Sequence, residues 1–372
     1  MTTALRRLAR APSRVVLGAY VPARTVAWPE ASRLHIIGDE FGWSIDDDAH
    51  RLTATARRLG YVVAPPAWAR FTNGQAVFLH DHFGALRPRW MNSSHRIGLS
   101  YFHGRPGTRD SPEFDAALDR LKRYADRIER IQVTHDEMRD LVASAGVDEA
   151  KIFKIPIGVD IERFPLGDPH ARAVARSELG LPATAFVVGS FQKDGVGRGA
   201  GLEPKLIKGP DVLIAVLEQL NETIPELTVL LTGPARGFVR RELERVGIPY
   251  EHALVHSRDE LAVVYHALDA YLVTSRQEGG PKAIFEAGAT GVPLVTTRVG
   301  QAQELLTDDH DALLADVDDV EALAGAVQRV YDDVTLGPRL RVAGRETAES
   351  HSDELLDLYW ARLLDGFVRR VD

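Results

Sequence analysis

The chain has 372 residues, contains no cysteine and carries a formal net charge of −8 at pH 7. This length favours two domains over one, and the absence of cysteine excludes disulfides, a thiolate nucleophile and a cysteine-ligated zinc site. The acidic balance argues against extensive contact with nucleic acid, and no apolar run approaches the ~18 residues of a membrane-spanning helix.

The N-terminal segment combines two leucines with a group of basic side chains. These residues are Leu5, Leu8, Arg6, Arg7, Arg10 and Arg14. The apolar run that follows them is too short for a signal peptide, and we predict a cytoplasmic protein. Two interpretations of the segment stay open: a solvated arm, or an amphipathic segment that makes a peripheral contact with anionic lipid on the inner face of the membrane.

From Leu34 the chain alternates short apolar runs with amphipathic segments, the pattern of a parallel sheet covered by helices. The predicted strands of the first half are Leu34–Gly38, Tyr61–Ala64, Ala76–Leu79, Arg96–Phe102 and Arg130–Thr134. The predicted helices are Asp46–Leu59, Pro112–Ala125 and Asp136–Ala145. Because ligands of such sheets bind at the carboxyl ends of strands, polar residues that follow the strands are candidates for a site.

Two groups of such residues lie early in the chain. Asp39 and Trp43 occupy the loop after the first predicted strand, and His80 and His82 follow the third. For the two histidines three interpretations stay open, namely a metal site, a polar wall of the cleft, or plain structure. The acids Asp46–Asp48 also suit a metal, but they stand at a helix start. Acids there satisfy free N–H groups and the helix dipole, so we predict a cap.

The second half follows a segment punctuated by proline and glycine, Lys151–Pro165, which we predict to link two domains. Its predicted strands are Ala185–Phe191, Leu227–Leu231, Asp269–Val273, Val292–Thr296 and Asp311–Ala315, and Leu254–Ser257 is predicted as a strand end and the loop after it. Its predicted helices are Asp211–Asn221, Val239–Val246, Val320–Asp332, Arg339–Ser350 and Glu354–Arg369. A glycine-rich loop after the first of these strands lacks the spacing of a dinucleotide fingerprint. It contains Lys193 and ends at Lys208-Gly209.

The stretch 274–297 is predicted to form a strand end, a loop, a helix and a strand. Gly279 and Gly280 free the backbone at the turn, and Pro281 suits the first helical position, where its missing N–H costs nothing. A helix N-terminus attracts phosphate. The N–H groups expected to point into the crevice as an anion cradle belong to Gly280, Lys282 and Ala283.

Glu278 and Glu286 flank this cradle as candidate acceptors for sugar hydroxyls, with ordinary surface charges as the alternative. Their Glu-x7-Glu spacing, in the variant Glu-Gly-Gly-Pro-Lys-Ala, resembles the signature of the retaining GT-B glycosyltransferases of family four. The segment from Ile155 to Asp160 and the pair Lys208-Gly209 are similar to two further family segments.

The resemblance implies an α/β protein of GT-B fold, in which two Rossmann-like domains face each other across a cleft. On this basis residues 1–160 are predicted as the N-terminal acceptor-side domain and residues 161–350 as the C-terminal donor domain. Residues 351–372 are then the C-terminal helix that crosses back to the first domain.

The resemblance also implies a retaining, metal-independent transfer from a nucleotide-diphospho-sugar donor, without a cofactor. Glu278, Lys208 and His103 are the implied catalytic residues, since His103 precedes a glycine at the position where the family has a histidine facing the donor sugar. Glu286 is implied to hold the ribose, and Lys193 to stand in for a phosphate-binding arginine. Fixed cations stabilise the charge that develops on a departing diphosphate.

The acceptor stays open among a glycan, a lipid-linked intermediate and a small molecule. The candidates for its side of the cleft are Asp39, Trp43, His80 and His82. Two other functions stay open as well: a nucleotide-sugar 2-epimerase of the same fold, and a non-catalytic subunit that binds a sugar or a partner protein.

Overall fold

The structure, a computed structural model, describes residues 31–39, 44–197 and 199–370. The basic N-terminal segment and Trp43 lie outside these residues, and elements are numbered within the described part. Across these ranges, no helix combines the length and the apolar character needed to cross a bilayer.

The first half of the chain builds a parallel sheet. Its strands are β1 Leu34–Ile37, β2 Val63–Ala64, β3 Ala76–Leu79, β4 Arg96–Ser100, β5 Ile128–Val133 and β6 Ile152–Lys154. The strand order is β2-β1-β3-β4-β5-β6. The order reverses between β1 and β3, so Asp39 and His80 follow the two strands that flank this switch point.

Helices cover this sheet. They are α1 Ser44–Arg58, α2 His82–Ala85, α3 Pro88–Met91, α4 Pro112–Tyr124 and α5 Asp136–Ser144. In α4 the buried residues Phe114, Ala117, Leu118 and Leu121 recur at helical spacing, which places one apolar face against the core. The central strand β3 is buried along its whole length, as expected for a sheet with helices on both faces.

The second half builds another parallel sheet. Its strands are β7 Phe186–Ser190, β8 Leu227–Thr232, β9 Tyr250–Ala253, β10 Ala270–Val273, β11 Leu294–Thr297 and β12 Leu313–Ala315. The order β12-β11-β10-β7-β8-β9 is that of a doubly wound Rossmann sheet. Its switch point lies between β7 and β10, so the residues that follow these two strands share one crevice.

The helices of the second half complete the fold. They are α6 Pro169–Glu178, α7 Pro210–Thr223, α8 Gly237–Val246, α9 Arg258–Tyr265, α10 Ala283–Thr290, α11 Ala302–Leu305, α12 Val320–Asp332, α13 Leu336–Ser350 and α14 Asp353–Leu364. The last helix, α14, packs on α1 of the first half, where Asp357 accepts hydrogen bonds from Thr55 Oγ1 at 2.9 Å and Arg58 Nη2 at 2.8 Å. The predicted α/β class, with two Rossmann-like sheets and a C-terminal helix that crosses back, is confirmed.

Several boundaries differ from the prediction. The segment predicted only as a linker supplies the edge strand β6, and α6 was not predicted. Leu254–Ser257, predicted as a strand end and the loop after it, is loop throughout, because β9 ends at Ala253. Helix α10 begins at Ala283, since the bond from Ile284 N to Pro281 O makes a tighter first turn. The last helix ends at Leu364, because Asp365 is extended and Gly366 has a φ of +65°.

Candidate active site

The two sheets meet along a cleft where their carboxyl edges face each other. Thr134 Oγ1 donates a hydrogen bond to Gly279 O across it, at 2.8 Å. A Cβ added at Gly279 would lie 2.5 Å from Phe102 O, and one at Gly280 would lie 2.6 Å from Gln301 Oε1. Gly279 therefore serves the close approach of the two domains, whereas Gly280 makes room for Gln301 of its own domain, whose side chain bonds to the backbone of Ile157. The prediction gave a different reason, the freedom of the turn.

Lys208 and Glu278 come together at the switch point of the second sheet. Lys208 Nζ lies 2.5 Å from Glu278 Oε1, and their side chains are 18% and 11% exposed. Ser275 Oγ donates to the same carboxylate oxygen at 2.8 Å. The backbone of Lys208 is fixed separately, since its carbonyl accepts from Gln192 Nε2 at 2.8 Å. The lysine is thus held at the mouth of the crevice between β7 and β10.

Lys205, which was not predicted as a site residue, lies close to Lys208 and Glu278. Lys205 is half-buried, and burial followed by the charge of Lys208 lowers its pKa to about 8, while Glu278 opposes the shift. Lys193 is a further nearby cation that acts in the same direction. The loop after β7 therefore places Lys208 and Lys205 near Glu278, with Lys193 close enough to Lys205 to affect its charge, in a chain whose net charge is negative.

His103 faces this cluster from the first domain. It lines a pocket together with Glu278, His135 and Gln277. Burial, then the charges of Lys208 and Lys205, lower the pKa of His103 to about 3. Its ring is therefore neutral at pH 7, and it acts as a hydrogen-bonding group rather than a cation.

Glu286 lies within α10 and is only 4% exposed. Its Oε2 atom accepts a hydrogen bond from Tyr265 OH at 3.0 Å, and its Oε1 atom forms an ion pair with Arg258 Nη2. The carboxylate predicted to hold a ribose is therefore already engaged by two protein groups. Arg258 also lies 3.8 Å from Asp47 of the first domain.

Lys282 reaches across the cleft to the acids at the start of α1. Its Nζ atom lies 2.7 Å from both Asp47 Oδ2 and Asp48 Oδ1. Burial alone would raise the pKa of Asp47, but Lys282 and Arg258 outweigh it and lower the pKa to about 2. Asp46 and Asp47 do stand in the first turn of α1. The prediction of a simple cap is incomplete, because Asp47 and Asp48 also join the two domains.

His80 and His82 are 2% and 3% exposed. The Nδ1 atom of His80 lies 3.1 Å from Ser100 Oγ, and His82 stacks on Tyr101 with ring centroids 4.2 Å apart. Both rings are thus largely enclosed, although His80 lines a pocket together with Asp48 and Ile157. Among the residues that the structure describes, no three His, Cys, Asp or Glu side chains group as a metal site requires.

Asp39 and Ala283, two further residues predicted for the site, lie at or close to the ends of elements. Asp39 is half-buried at the end of the segment that follows β1. Ala283 is the first residue of α10, and Lys282 is its cap residue. The loop beside Glu278 adds a contact that was not predicted, since Gln277 Oε1 accepts a hydrogen bond from Arg105 N of the first domain at 3.1 Å.

The unpredicted members of the site share one property. Lys205, Arg258 and Asp47 are charged residues that stand in polar stretches of the sequence. Such a stretch usually indicates a surface exposed to solvent, so these residues were not predicted as members of the site. A signal for Lys205 is present in the sequence, because it stands three residues before Lys208 in the same loop. Arg258 and Asp47 have no comparable local signal, since their partners lie in other elements.

Two solved structures are similar over most of the fold. HepE of Anabaena, solved with UDP and glucose, superposes with a TM-score of 0.73 at 16% identity, covering 90% of this chain and all of HepE. Sucrose-phosphate synthase of Thermosynechococcus elongatus superposes with a TM-score of 0.65 at 21% identity, covering 81% of this chain and 75% of the synthase. Together with the facing sheets and the returning helix, these similarities define a protein of GT-B fold.

Sequence similarity defines the family. Residues 199–333 match the family described as glycosyl transferases group 1. The D-inositol 3-phosphate glycosyltransferase of Corynebacterium glutamicum is 30% identical over 301 residues, which cover 72% of this chain and 69% of that protein. The protein of the same name from Xylanimonas cellulosilytica is 34% identical over 243 residues, 61% of this chain and 55% of that protein. The chain belongs to the group 1 glycosyltransferases, although it spans only 52–62% of the first curated relatives it matches.

Proposed function

We propose that the chain transfers a sugar from a nucleotide-diphospho-sugar to an acceptor, with retention at the anomeric carbon and without a divalent metal. The observation that carries this proposal is the grouping of Lys208 and Lys205 near Glu278, with Lys193 close to Lys205 in the same loop. They stand at the carboxyl ends of β7 and β10, where doubly wound sheets bind ligands. Membership of the group 1 glycosyltransferases and the UDP and glucose bound in the similar structure of HepE both favour a nucleotide sugar.

The lysines fit the needs of a departing nucleoside diphosphate. Negative charge grows on its phosphates as the glycosidic bond breaks, and cations already in place stabilise that charge without reorganisation. Lys208 currently pairs with Glu278 at 2.5 Å. A bound diphosphate would share Lys208 with this carboxylate, while Lys205 and Lys193 would contact the remaining phosphate oxygens. This arrangement supplies the charge neutralisation for which other transferases use a metal ion.

Glu278 and His103 are proposed to orient the reacting sugar. Both line the same pocket at the cleft. Since the pKa of His103 is lowered to about 3, its neutral imidazole would accept or donate a hydrogen bond with a sugar hydroxyl. The leaving phosphate would then receive the proton of the acceptor hydroxyl, so that no side chain needs to act as a covalent nucleophile.

Glu286 is proposed to bind the ribose in addition to its protein partners. An ionised carboxylate has about four lone-pair sites, and Tyr265 and Arg258 use two of them. The remaining sites are available for ribose hydroxyls. Arg258 and Tyr265 hold the carboxylate in one orientation, which favours selective contact with a vicinal diol.

The comparisons guide the choice of substrates. HepE was solved with UDP-glucose, so UDP-sugars are the first donors to examine. The curated relatives carry the name D-inositol 3-phosphate glycosyltransferase, so this phosphorylated cyclitol is the first acceptor. Glycans, lipid-linked intermediates and other small molecules follow it as acceptors.

A thermal-shift panel of UDP, GDP, ADP and their sugars tests the proposal. A ligand at 100 times its dissociation constant adds about 2.7 kcal/mol of stability, so one base should raise the unfolding temperature clearly. Lys208→Ala should reduce this shift, whereas Lys122→Ala, on an exposed part of α4, should keep it. No shift with any nucleotide would contradict the proposal.

The best donor is then incubated with each acceptor. Proton NMR of the product should show the anomeric configuration of the donor, and an inverted product would refute retention. A donor that epimerises at carbon 2 without any acceptor would indicate the epimerase instead.

A further inference from the structure

The loop that carries the three lysines forms a short hairpin. We call residues 191–209 the lysine loop, of which all but residue 198 are described. Gly195 and Pro204 pair as an antiparallel bridge, and Val196 N donates to Glu203 O at 2.8 Å. The next pair inward joins the backbones of Asp194 and Lys205, since Lys205 N donates to Asp194 O at 2.7 Å. The position of Lys205 therefore depends directly on that of Asp194.

Asp194 is anchored by an ion pair in the interior. Its Oδ2 atom lies 3.0 Å from Arg236 Nη2, and both side chains are 0% exposed. Arg236 Nη1 donates to Ser190 O at 2.5 Å and to Thr232 O at 3.2 Å. These carbonyls stand at the carboxyl ends of β7 and β8. The guanidinium thus joins the lysine loop to two strands of the rigid sheet.

The rest of the hairpin lies on the turn that contains Arg236. Gly237 N donates to Ala200 O at 2.7 Å, and Phe238 N donates to Gly201 O at 2.8 Å. A Cβ at Gly201 would lie 2.2 Å from Ala235 O. Because there is no room for a side chain at this point, the hairpin approaches the turn at backbone distance and in one register.

The ion pair is poorly suited to a purely stabilising role. Burying two charges carries a desolvation cost that apolar residues of similar volume would avoid. Within the described part of the chain, neither carboxylate oxygen of Asp194 has a hydrogen-bond donor in good geometry. A buried pair with these properties is better explained by the position it imposes on the loop.

We propose that the ion pair between Asp194 and Arg236 is a positioning device, which holds Lys205 beside Lys208 so that both cations meet the diphosphate of the donor. This inference rests on the proposed function. Asp194 and Arg236 are positioning residues, because they act through Lys205 and do not touch the substrate themselves.

The double substitution Asp194→Leu/Arg236→Met tests the inference. It removes one charge of each sign, so the net charge of the protein is unchanged. The ligand is inorganic pyrophosphate, which probes the phosphate site without any knowledge of base or sugar. Its dissociation constant is measured by calorimetry, and the unfolding temperature is measured on the same samples. The matched control is Glu218→Leu/Arg245→Met, which removes an exposed ion pair of the same domain.

The expected result is a double variant that remains folded and binds pyrophosphate at least tenfold more weakly. The control should bind as the wild type does. Wild-type affinity in the folded double variant would overturn the inference and leave the proposed function intact. Failure of the wild type itself to bind pyrophosphate would refute the phosphate site, and both proposals with it.

A second variant keeps the test decisive if the double variant does not fold. Arg236→Lys retains the buried charge but lacks the fork that reaches two carbonyl groups. It should fold and bind pyrophosphate about threefold more weakly, with a higher KM for the donor than the wild type. A folded Arg236→Lys with unchanged affinity and KM would contradict a positioning role.

Discussion

The substitution Lys208→Ala tests the chemistry most directly. Lys208 Nζ lies 2.5 Å from Glu278 Oε1, but the loop does not depend on this side chain for its shape. Gly209 has a φ of +60°, and a Cβ there would lie 1.9 Å from Thr274 O. The turn is therefore set by backbone packing, and we expect truncation of Lys208 to leave the fold intact.

The expected loss of activity follows from the position of the ammonium group. Removing one fixed electrostatic donor of this kind typically costs a factor of ~100 to 1,000 in turnover, about 2.7–4 kcal/mol. Lys205 remains nearby, which places the expected effect towards the lower end of that range. Glu278 loses its nearest cation but keeps the hydrogen bond from Ser275 at 2.8 Å. The cost to stability should be about 1–3 kcal/mol, as for a partly buried group that loses one partner.

The assay compares turnover at saturating donor for the wild type, Lys208→Ala, Lys208→Arg and the exposed control Lys122→Ala. Circular dichroism on the same samples checks the fold. Lys208→Arg should recover part of the activity, because a planar fork does not replace a compact ammonium. A folded Lys208→Ala with near-normal turnover would refute the electrostatic role. A change confined to KM would show that Lys208 contributes equally to the ground state.

Four further outcomes are expected. Glu286→Gln should raise the KM for the donor about tenfold and change kcat much less, since ribose contacts persist into the transition state; a collapse of kcat at constant KM would contradict this. The pKa of Lys205 is about 8, so donor affinity should fall as pH rises through 8, and Lys205→Arg should remove that dependence in a pH series of KM. The pKa of Asp47 is lowered to about 2, so its stabilising effect is present above pH ~4 and lost as pH falls towards 2; the gap in unfolding temperature between the wild type and Asp47→Asn should narrow over that interval. Activity should persist in EDTA, and complete loss that manganese or magnesium restores would disprove metal independence.

Local pattern was sufficient to predict most of the architecture. Apolar runs bounded by glycine and proline marked the central strands, which are buried from both sides and so carry a strong signal. Parallel strands present their carboxyl ends at one edge of the sheet. This rule marked the loop of Glu278, and the resemblance of Lys208-Gly209 to a family segment added Lys208, which lies 70 residues away along the chain.

The elements that were missed have weak local signals. Strand β6 has three residues, none of them fully buried, and it exists because β5 offers an edge for pairing. The first turn of α10 depends on how Pro281 and the residues after it meet the other domain. The two glycines beside Glu278 were assigned to a turn, whereas Gly279 lies directly against Phe102 of the first domain and Gly280 makes room for Gln301, which bonds to Ile157.

The sequence by itself determined which residues stand at the ends of the strands, because strand formation depends on neighbours a few positions away. Only the tertiary structure decided which charges meet. Lys282 and Asp47 are 235 residues apart, and their contact depends on the angle at which the two domains dock. The interaction of two charges varies steeply with distance and burial, so a small rotation of one domain would change every partner in the cleft. The pairing of Arg258 with Glu286 and the anchoring of Asp194 by Arg236 lie within the second domain, but each joins separate elements, so local pattern could not predict them either.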